Sequence, residues 1–116
     1  MTKYLVLLAH EPGMWTEADP VTFAAYHQAH VDFARLVGDR ILAGEALAGP
    51  DAATTLRRTA AGEALTDGPF AEGAEVIGGF YVVDAPDLDT VLGWCRVLPA
   101  PYAVEVRPCV QVEGLT

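Results

Sequence analysis

The chain has 116 residues, of which 52% are hydrophobic and 20% charged, and its net charge is −9. This length and composition predict one soluble globular domain over residues 1–116, with a core that needs no metal or disulfide support. The acidic balance repels phosphate groups, so nucleic acid and anionic membranes are not expected as partners. No apolar run approaches the roughly 20 residues of a membrane span.

The first predicted elements are a strand and a helix. Residues 3–9 are apolar at both odd and even positions, which is typical of a central strand that is covered on both faces. Asp19 followed by Pro20 is a helix-start signal, because the aspartate can cap the helix and a proline at the first position needs no N–H partner. We predict a helix from this point to Val37, where a glycine follows.

A second strand, a hairpin and a further strand follow. Residues 41–46 are predicted to form a strand, as are residues 76–83, which are again apolar at both parities. Between them, residues 54–59 and 63–66 are β-branched and alternating around an Ala-Gly turn, which indicates a β-hairpin. The low hydrophobicity of this hairpin predicts an exposed arm.

The C-terminal part predicts a second helix and a last strand. Pro86 opens a segment with apolar residues at helical spacing, and Pro99 ends it. Residues 103–112 alternate between apolar and polar positions, as a strand with one buried face does. The whole order predicts a ferredoxin-like βαββαβ fold of the α+β class, with an antiparallel sheet, both helices on one face and the hairpin as an excursion.

Two helices can cover only one face of this sheet, although at least two strands are apolar on both faces. An uncovered apolar patch of that size is unusual on a soluble monomer. We therefore expect a second copy of the chain, related by a two-fold axis, to cover the open face in a homodimer.

Cys95 and Cys109 lie in apolar segments and lack the spacing of metal ligands or redox pairs. We interpret them as two reduced core thiols of a cytoplasmic protein, with a disulfide between them as the alternative. The chain also has no glycine-rich phosphate loop and no nucleophile elbow, and no cofactor is expected.

Four short motifs give the chain a family resemblance. They are the turn Asp67-Gly68-Pro69-Phe70, the strand Gly78-Gly79-Phe80-Tyr81, the helix start Pro86-Asp87-Leu88-Asp89 and the closing Val104-Glu105-Val106-Arg107-Pro108. Together they resemble the DGPF-domain branch of the YCII-related proteins. The resemblance implies a dimeric α+β barrel, in which the ferredoxin-like sheets of two chains face each other.

His30 is the main candidate for chemistry. At about 100° per residue it falls near the middle of the apolar face of the first helix, between Tyr26 and Phe33, and His27 falls at the edge of that face. A buried neutral imidazole needs a hydrogen-bond partner that tunes its pKa, which suits a general base. The alternative, which spacing alone favours, is a core histidine bonded to a backbone carbonyl.

The family resemblance also implies a catalytic dyad. YCII-related proteins commonly carry a histidine on the first helix and an aspartate just before the second strand, and these positions match His30 and Asp39. An aspartate that accepts from one ring nitrogen fixes the tautomer and leaves the other nitrogen free for a substrate proton. Asp39 could equally be a solvated turn residue.

Asp67, Phe70 and Glu72 form a second candidate group. Asp-Gly-Pro is a favoured turn sequence, and the structural interpretation of Asp67 is simply this turn. The functional interpretation places Asp67 and Glu72 at the mouth of a pocket, where they orient a polar ligand, with Phe70 as the pocket wall.

Glu45 is a charged residue in the otherwise apolar second strand, on the parity of Ile41. If it is covered, its carboxylate needs a partner, which Arg107 or His30 could supply. The alternative for Arg107 is an exposed pair with Glu105 that adds little stability.

A metal site is the weaker interpretation of the histidines. His27 and His30 are three residues apart on the helix, and His10 ends the neighbouring strand. Helical metal pairs more often use a spacing of four, and no cysteine or carboxylate follows at a ligand spacing, so no metal is expected.

The sequence favours a small cofactor-free enzyme that acts on an aromatic or carbonyl-bearing metabolite. His30 would be the acid/base catalyst, oriented by Asp39 or Asp67, in proton transfer, elimination or isomerisation. The side chains predicted to contact the substrate are Tyr26, His27, Glu45, Phe70, Glu72, Tyr81 and Arg107.

Two other interpretations stay open. DGPF-type proteins resemble those encoded beside extracytoplasmic-function sigma factors, which implies a ligand-binding or regulatory accessory module without turnover. The third interpretation is a structural dimer whose cleft is simply filled.

Overall fold

A computed structural model covers residues 1–116 and shows six strands and two helices. In chain order these are β1 (Thr2–His10), α1 (Pro20–Val37), β2 (Ile41–Ala46), β3 (Thr54–Thr59), β4 (Gly62–Asp67), β5 (Val76–Ala85), α2 (Leu88–Cys95) and β6 (Ala103–Pro108). One antiparallel sheet has the order β2-β5-β1-β6, and β3 pairs only with β4. This is the predicted ferredoxin-like βαββαβ fold of the α+β class, with a hairpin excursion.

Capping residues fix both ends of α1, as the sequence predicts. The Asp19 carboxylate accepts a hydrogen bond from the backbone N–H of Thr22 at 2.8 Å, and Pro20 begins the helix. Gly38 ends it with a φ of 61°, which glycine adopts without strain. Local chemistry thus decides where α1 starts and stops.

Neither α1 nor α2 has both the length and the apolar character that crossing a bilayer requires.

The core lies between the two helices and one face of the sheet. Alternate residues of β1 point toward the helices, and Tyr4, Val6 and Leu8 are buried while their neighbours are only partly covered. The helices contribute their own buried side chains, which are Phe33 and Val37 from α1 and Val91 and Cys95 from α2. Both helices cover the same face of the sheet, as predicted.

The opposite face of the sheet is apolar and has no helix over it. Leu5 and Leu7 of β1 lie directly across from Val82 and Phe80 of β5, and directly opposed residues of an antiparallel pair share one face. All four side chains are partly exposed. Within one chain, the central strands are therefore covered on one face only.

The end of the chain differs from the sequence expectation. β6 stops at Pro108 rather than at residue 112, because its partner strand β1 begins at Thr2; the Cys109 N–H still donates to the Lys3 carbonyl at 2.8 Å, close to that end of β1. Cys109 follows this stop and is exposed, so the expectation of two core thiols is wrong for Cys109 and holds for Cys95. Burial raises the pKa of the Cys95 thiol to about 11, and neither cysteine forms a disulfide.

The β3–β4 hairpin is the exposed arm that its polarity predicts. Leu56 and Leu65 face each other across the two strands, yet they are 50% and 68% exposed. Arg57 donates a hydrogen bond to the backbone carbonyl of Phe70 at 2.8 Å. This bond holds the turn that follows the hairpin close to the arm.

Replacing Phe33 with alanine tests this description of the core. Phe33 is fully buried, so the cavity left by Phe33→Ala should lower the free energy of unfolding by about 3–5 kcal/mol. Phe23 lies on the same helix and is 48% exposed, and the matched control Phe23→Ala should cost no more than about 1.5 kcal/mol. Urea denaturation measures both values, and equal losses would contradict the assigned core.

Candidate functional site

A cavity of about 670 Å³ opens beside α1, at the end of the sheet where β1 finishes and β5 begins. Its volume lies within the range of roughly 300–1,000 Å³ that small-molecule sites occupy. Aromatic and imidazole rings form much of its wall, and they belong to His10, Trp15, His27, His30, Phe80, Tyr81 and Tyr102. The fold brings these rings together from both ends of the chain.

His30 lies at the polar centre of this cavity. Both of its ring nitrogens make hydrogen bonds, Nδ1 with the Tyr81 hydroxyl at 2.6 Å and Nε2 with the Tyr102 hydroxyl at 2.9 Å. The Trp15 indole Nε1 donates a further bond to the Tyr102 hydroxyl at 3.1 Å. Three hydrogen bonds therefore link these four residues, which we call the His30 cluster. The backbone-carbonyl partner considered for His30 is wrong, because both nitrogens are bonded to tyrosines.

Different elements place the members of the His30 cluster. His30 lies on α1 one turn before the buried Phe33. Tyr81 lies on β5, opposite Val6 on the face of the sheet that the helices cover, and Tyr102 immediately precedes β6. The Phe33 and Tyr81 rings pack with centroids 4.6 Å apart. Core packing thus sets the position of one of the two tyrosines that hold the histidine.

Burial keeps the His30 cluster uncharged at neutral pH. Burial lowers the pKa of His30 from its ordinary 6.5, and the neighbouring His27 lowers it further. Burial likewise raises the pKa of Tyr81 and of Tyr102 from 10.0. The charge of Tyr102 adds to the rise at Tyr81, whereas the hydrogen bond from Trp15 opposes the rise at Tyr102. A neutral imidazole between two neutral phenols follows.

The cavity wall carries no lysine or arginine, and Glu45 is its only acidic residue. An anionic ligand would find no cation here to offset the loss of its hydration. No three His, Cys, Asp or Glu side chains of the chain come close enough together to hold a metal ion. The wall therefore suits an uncharged molecule with aromatic surface and polar groups.

Glycines on β2 and β5 leave room for the rings of the cavity. A Cβ at Gly44 would lie 2.7 Å from the Tyr81 ring, and a Cβ at Gly78 would overlap His10. Both contacts are closer than side-chain carbons tolerate. A larger residue at either position would force a ring of the cavity to move.

Three of the predicted substrate contacts line the cavity together with His30, namely His27, Glu45 and Tyr81. Tyr26 lies outside it, beside a smaller neighbouring cavity. Its ring meets the Trp15 ring edge-on, with centroids 5.3 Å apart. Tyr26 thus supports the wall of the cavity from behind.

Asp39 is not the partner of His30, so the expected dyad is absent from the chain. It lies in a short 3-10 turn after α1, is exposed, and makes no hydrogen bond with the imidazole. Because α1 continues to Val37, Asp39 comes more than two turns after His30 along the helix. Both imidazole nitrogens are already bonded to tyrosines. The solvated-turn interpretation of Asp39 matches its position.

The Asp67 turn also lies away from the cavity. Asp67 ends β4, and Phe70 and Glu72 follow in the connection to β5. All three are exposed, Phe70 by 77%, and none of them lines the cavity. The hairpin carries this turn out of the main sheet. A single chain therefore does not place these side chains at the mouth of the cavity, and the turn interpretation of Asp67 is the better one.

Glu45 and Arg107 do not pair, contrary to one expectation. A register shift between Ile41 and Ala43 places Glu45 opposite Phe80 on the uncovered face, where it is exposed and needs no buried partner. Arg107 pairs instead with Glu105 at 2.7 Å, and both side chains are largely exposed. This is the weak surface pair that was the alternative for Arg107.

Sequence reasoning misses Trp15 and Tyr102, which complete the His30 cluster. They lie in the loops before α1 and β6, 87 residues apart, so no local periodicity connects them. The sequence offers only a weak signal for them: each has an aromatic side chain with a polar group, and such a side chain needs a hydrogen-bond partner when it is partly buried.

Residues 2–112 match the family described as the YCII-related domain, and every member of the His30 cluster lies inside this range. A curated relative, an uncharacterized protein of Rhizobium meliloti (strain 1021), is 44% identical over 61 residues. The alignment covers 49% of this chain and 49% of the relative, so the chain spans about half the length of the protein it matches.

The neutrality of His30 predicts a pH effect on stability. The pKa of His30 is lowered below 6.5 in the folded state. As the pH falls from 6.5 to the folded pKa, the unfolded chain therefore binds more protons than the folded chain, and the free energy of unfolding decreases. The glutamine of His30→Gln does not titrate, so the variant should lack this pH-dependent contribution to the free energy of unfolding. The difference in unfolding free energy between wild type and variant should therefore shrink as the pH falls below 6.5. Urea denaturation at a series of pH values measures it, and a constant difference would contradict a buried neutral imidazole.

Proposed function

The chain belongs to the YCII-related family, and on that basis we propose that it is a small, cofactor-independent acid/base enzyme whose site is the cavity around His30. One observation carries the proposal: a neutral imidazole is held between two tyrosine hydroxyls in a cavity large enough for a small metabolite. Neutral imidazoles with hydrogen-bonded partners are common acid/base catalysts. The two tyrosines take the orienting role expected of Asp39.

The proposed reaction class is proton transfer, with elimination or isomerisation as its variants. Imidazole and phenol groups both donate and accept protons. Covalent catalysis is less well supported, because the chain contains no serine and burial raises the pKa of the Cys95 thiol to about 11. The lack of cations in the cavity wall favours an uncharged aromatic or carbonyl-bearing substrate.

We further propose that two chains form a homodimer through the uncovered face of the sheet. A single chain exposes 7992 Å², against roughly 6,100 Å² for a compact monomer of its mass. Its radius of gyration of 16.4 Å exceeds the value of about 13 Å that is typical of a compact domain of this length. A second copy would cover part of this excess and close a dimeric α+β barrel.

Two finer assignments complete the proposal. The Asp67-Gly68-Pro69-Phe70 turn supports the DGPF branch of the family, and the two free cysteines support a reducing, cytoplasmic location. The proposed partners are a small molecule and a second copy of the chain. The net charge of −9 argues against nucleic acid and anionic membranes as partners.

A ligand-binding accessory module is the second candidate, and one observation favours it. Both nitrogens of His30 are already hydrogen-bonded, so neither is free for a substrate unless a tyrosine moves or passes on a proton. In this candidate the cavity holds a regulatory ligand without turnover. The family resemblance to sigma-factor-associated proteins points the same way.

The variant His30→Gln separates the two candidates. The uncharged ketone β-tetralone is the probe, and ¹H NMR follows deuterium incorporation next to its carbonyl in D₂O. An acid/base enzyme should lose about 100-fold or more of its exchange rate in the variant while the ketone still binds. The exposed Cys109→Ser variant is the control and should keep the wild-type rate. Binding without exchange in the wild type would identify the accessory module, and equal rates would remove His30 from the mechanism.

Sedimentation tests the proposed homodimer. The wild type should sediment at twice the chain mass of 12.3 kDa, because its open sheet face is apolar. Phe80→Glu places a carboxylate on that face and should give monomers. Leu36→Glu is the control at a 54% exposed position of α1 and should remain dimeric. A monomeric wild type, or a dimer that Phe80→Glu leaves intact, would contradict this interface.

A further inference from the structure

We propose that Tyr81, His30 and Tyr102 act as a proton relay, which takes a proton from an uncharged enolisable carbonyl compound at one hydroxyl and returns a proton to it at the other. This inference rests on the proposed acid/base function. It names the substrate class and makes Tyr102 a catalytic residue. Both tyrosines line the cavity, so a bound molecule can contact them both.

The His30 cluster holds one more polar hydrogen than it has hydrogen bonds. The neutral imidazole carries one N–H, the Trp15 indole carries one, and each tyrosine carries one O–H, which makes four hydrogens for three hydrogen bonds. One tyrosine hydrogen therefore has no acceptor within the cluster. It is available to a molecule in the cavity.

The surplus hydrogen can lie on either tyrosine, depending on the tautomer of His30. With the ring proton on Nε2, this nitrogen donates to Tyr102, Tyr81 donates to Nδ1, and the free hydrogen is on Tyr102. With the ring proton on Nδ1, this nitrogen donates to Tyr81, Tyr102 donates to Nε2, and the free hydrogen is on Tyr81. Both arrangements keep three hydrogen bonds of the same chemical types, so their free energies should be close.

A switch between these arrangements converts a ketone into its enol. Tyr81 accepts a proton from the carbon next to the carbonyl and passes its own proton to Nδ1, while Nε2 protonates Tyr102 and Tyr102 protonates the carbonyl oxygen. One C–H bond breaks, one O–H bond forms, and the C–H electron pair becomes the C=C bond of the enol. The protein keeps its number of protons and gains no charge. The reverse transfer to a different carbon completes an isomerisation.

The lack of cations in the cavity wall favours this concerted route over a free enolate. The wall has no lysine or arginine, so a negatively charged oxygen would have no cation beside it. When the oxygen is protonated as the carbon loses its proton, that charge does not develop. The neutral relay therefore matches a cavity wall that holds no cation.

Nitrogen NMR of the ligand-free protein tests the relay. In protein labelled with ¹⁵N-histidine, in mildly alkaline buffer, both nitrogens of His30 should be partly protonated, with tautomer populations within about tenfold of each other. Tyr81→Phe leaves Nδ1 without a partner and should shift the balance toward the Nε2 proton. Tyr4→Phe, at a buried tyrosine outside the cavity, is the matched control and should leave the balance unchanged. A single tautomer in the wild type would overturn the relay and leave the proposed role of His30 intact, whereas an imidazolium would overturn both.

The exchange of β-tetralone gives a second readout. Tyr81→Phe and Tyr102→Phe keep the aromatic rings, and each should reduce the exchange rate about 100-fold or more, as His30→Gln does, while Tyr4→Phe should not. Loss of exchange in His30→Gln alone would overturn the relay and support the simpler acid/base function. A wild type that binds β-tetralone without exchanging it would overturn the enzyme function itself, whatever the tautomer populations are.

Discussion

The cavity depends on the requirement that partly buried polar atoms find hydrogen-bond partners. His30 brings two ring nitrogens to the side of α1 that packs on the sheet, and each needs a partner there. Two tyrosine hydroxyls supply these partners and, together with Trp15, connect α1 to β5, to the start of β6 and to the loop before the helix. The bonds that hold these elements also leave one hydroxyl hydrogen for the cavity. The same hydrogen bonds thus satisfy the partly buried polar atoms and provide the proposed chemistry.

How well the sequence predicts the fold depends on how local the deciding interactions are. Asp19 and Gly38 bound α1 through contacts within a few residues, and alternation along β1 marks its two faces, so both features can be predicted. Alternation also predicted that β6 continues to residue 112, although the ladder ends at Pro108. Alternation tells which face a strand presents, whereas the length of a strand depends on backbone partners that only the folded sheet provides.

The site is partly predictable for the same reason. Helical spacing alone places His30 toward the sheet, but its partners lie 51 and 72 residues further along the chain. No periodicity identifies them, and the family resemblance points to Asp39 instead. The expected aspartate and the two tyrosines would also give His30 different chemistry. A carboxylate partner stabilises an imidazolium, whereas two phenols leave the imidazole neutral. The fold of this chain therefore determines where the cavity lies, and the side chains placed on that fold determine its chemistry.

Neutron diffraction from a crystal of the deuterium-exchanged protein would locate the hydrogens of the His30 cluster directly. We predict deuteron occupancies that sum to one across the two nitrogens of His30, and one deuteron on each of Tyr81 and Tyr102. One of the tyrosine deuterons should point into the cavity rather than toward the imidazole. A ring with a full deuteron on both nitrogens, or a carboxylate bonded to His30 in place of a tyrosine, would contradict the account.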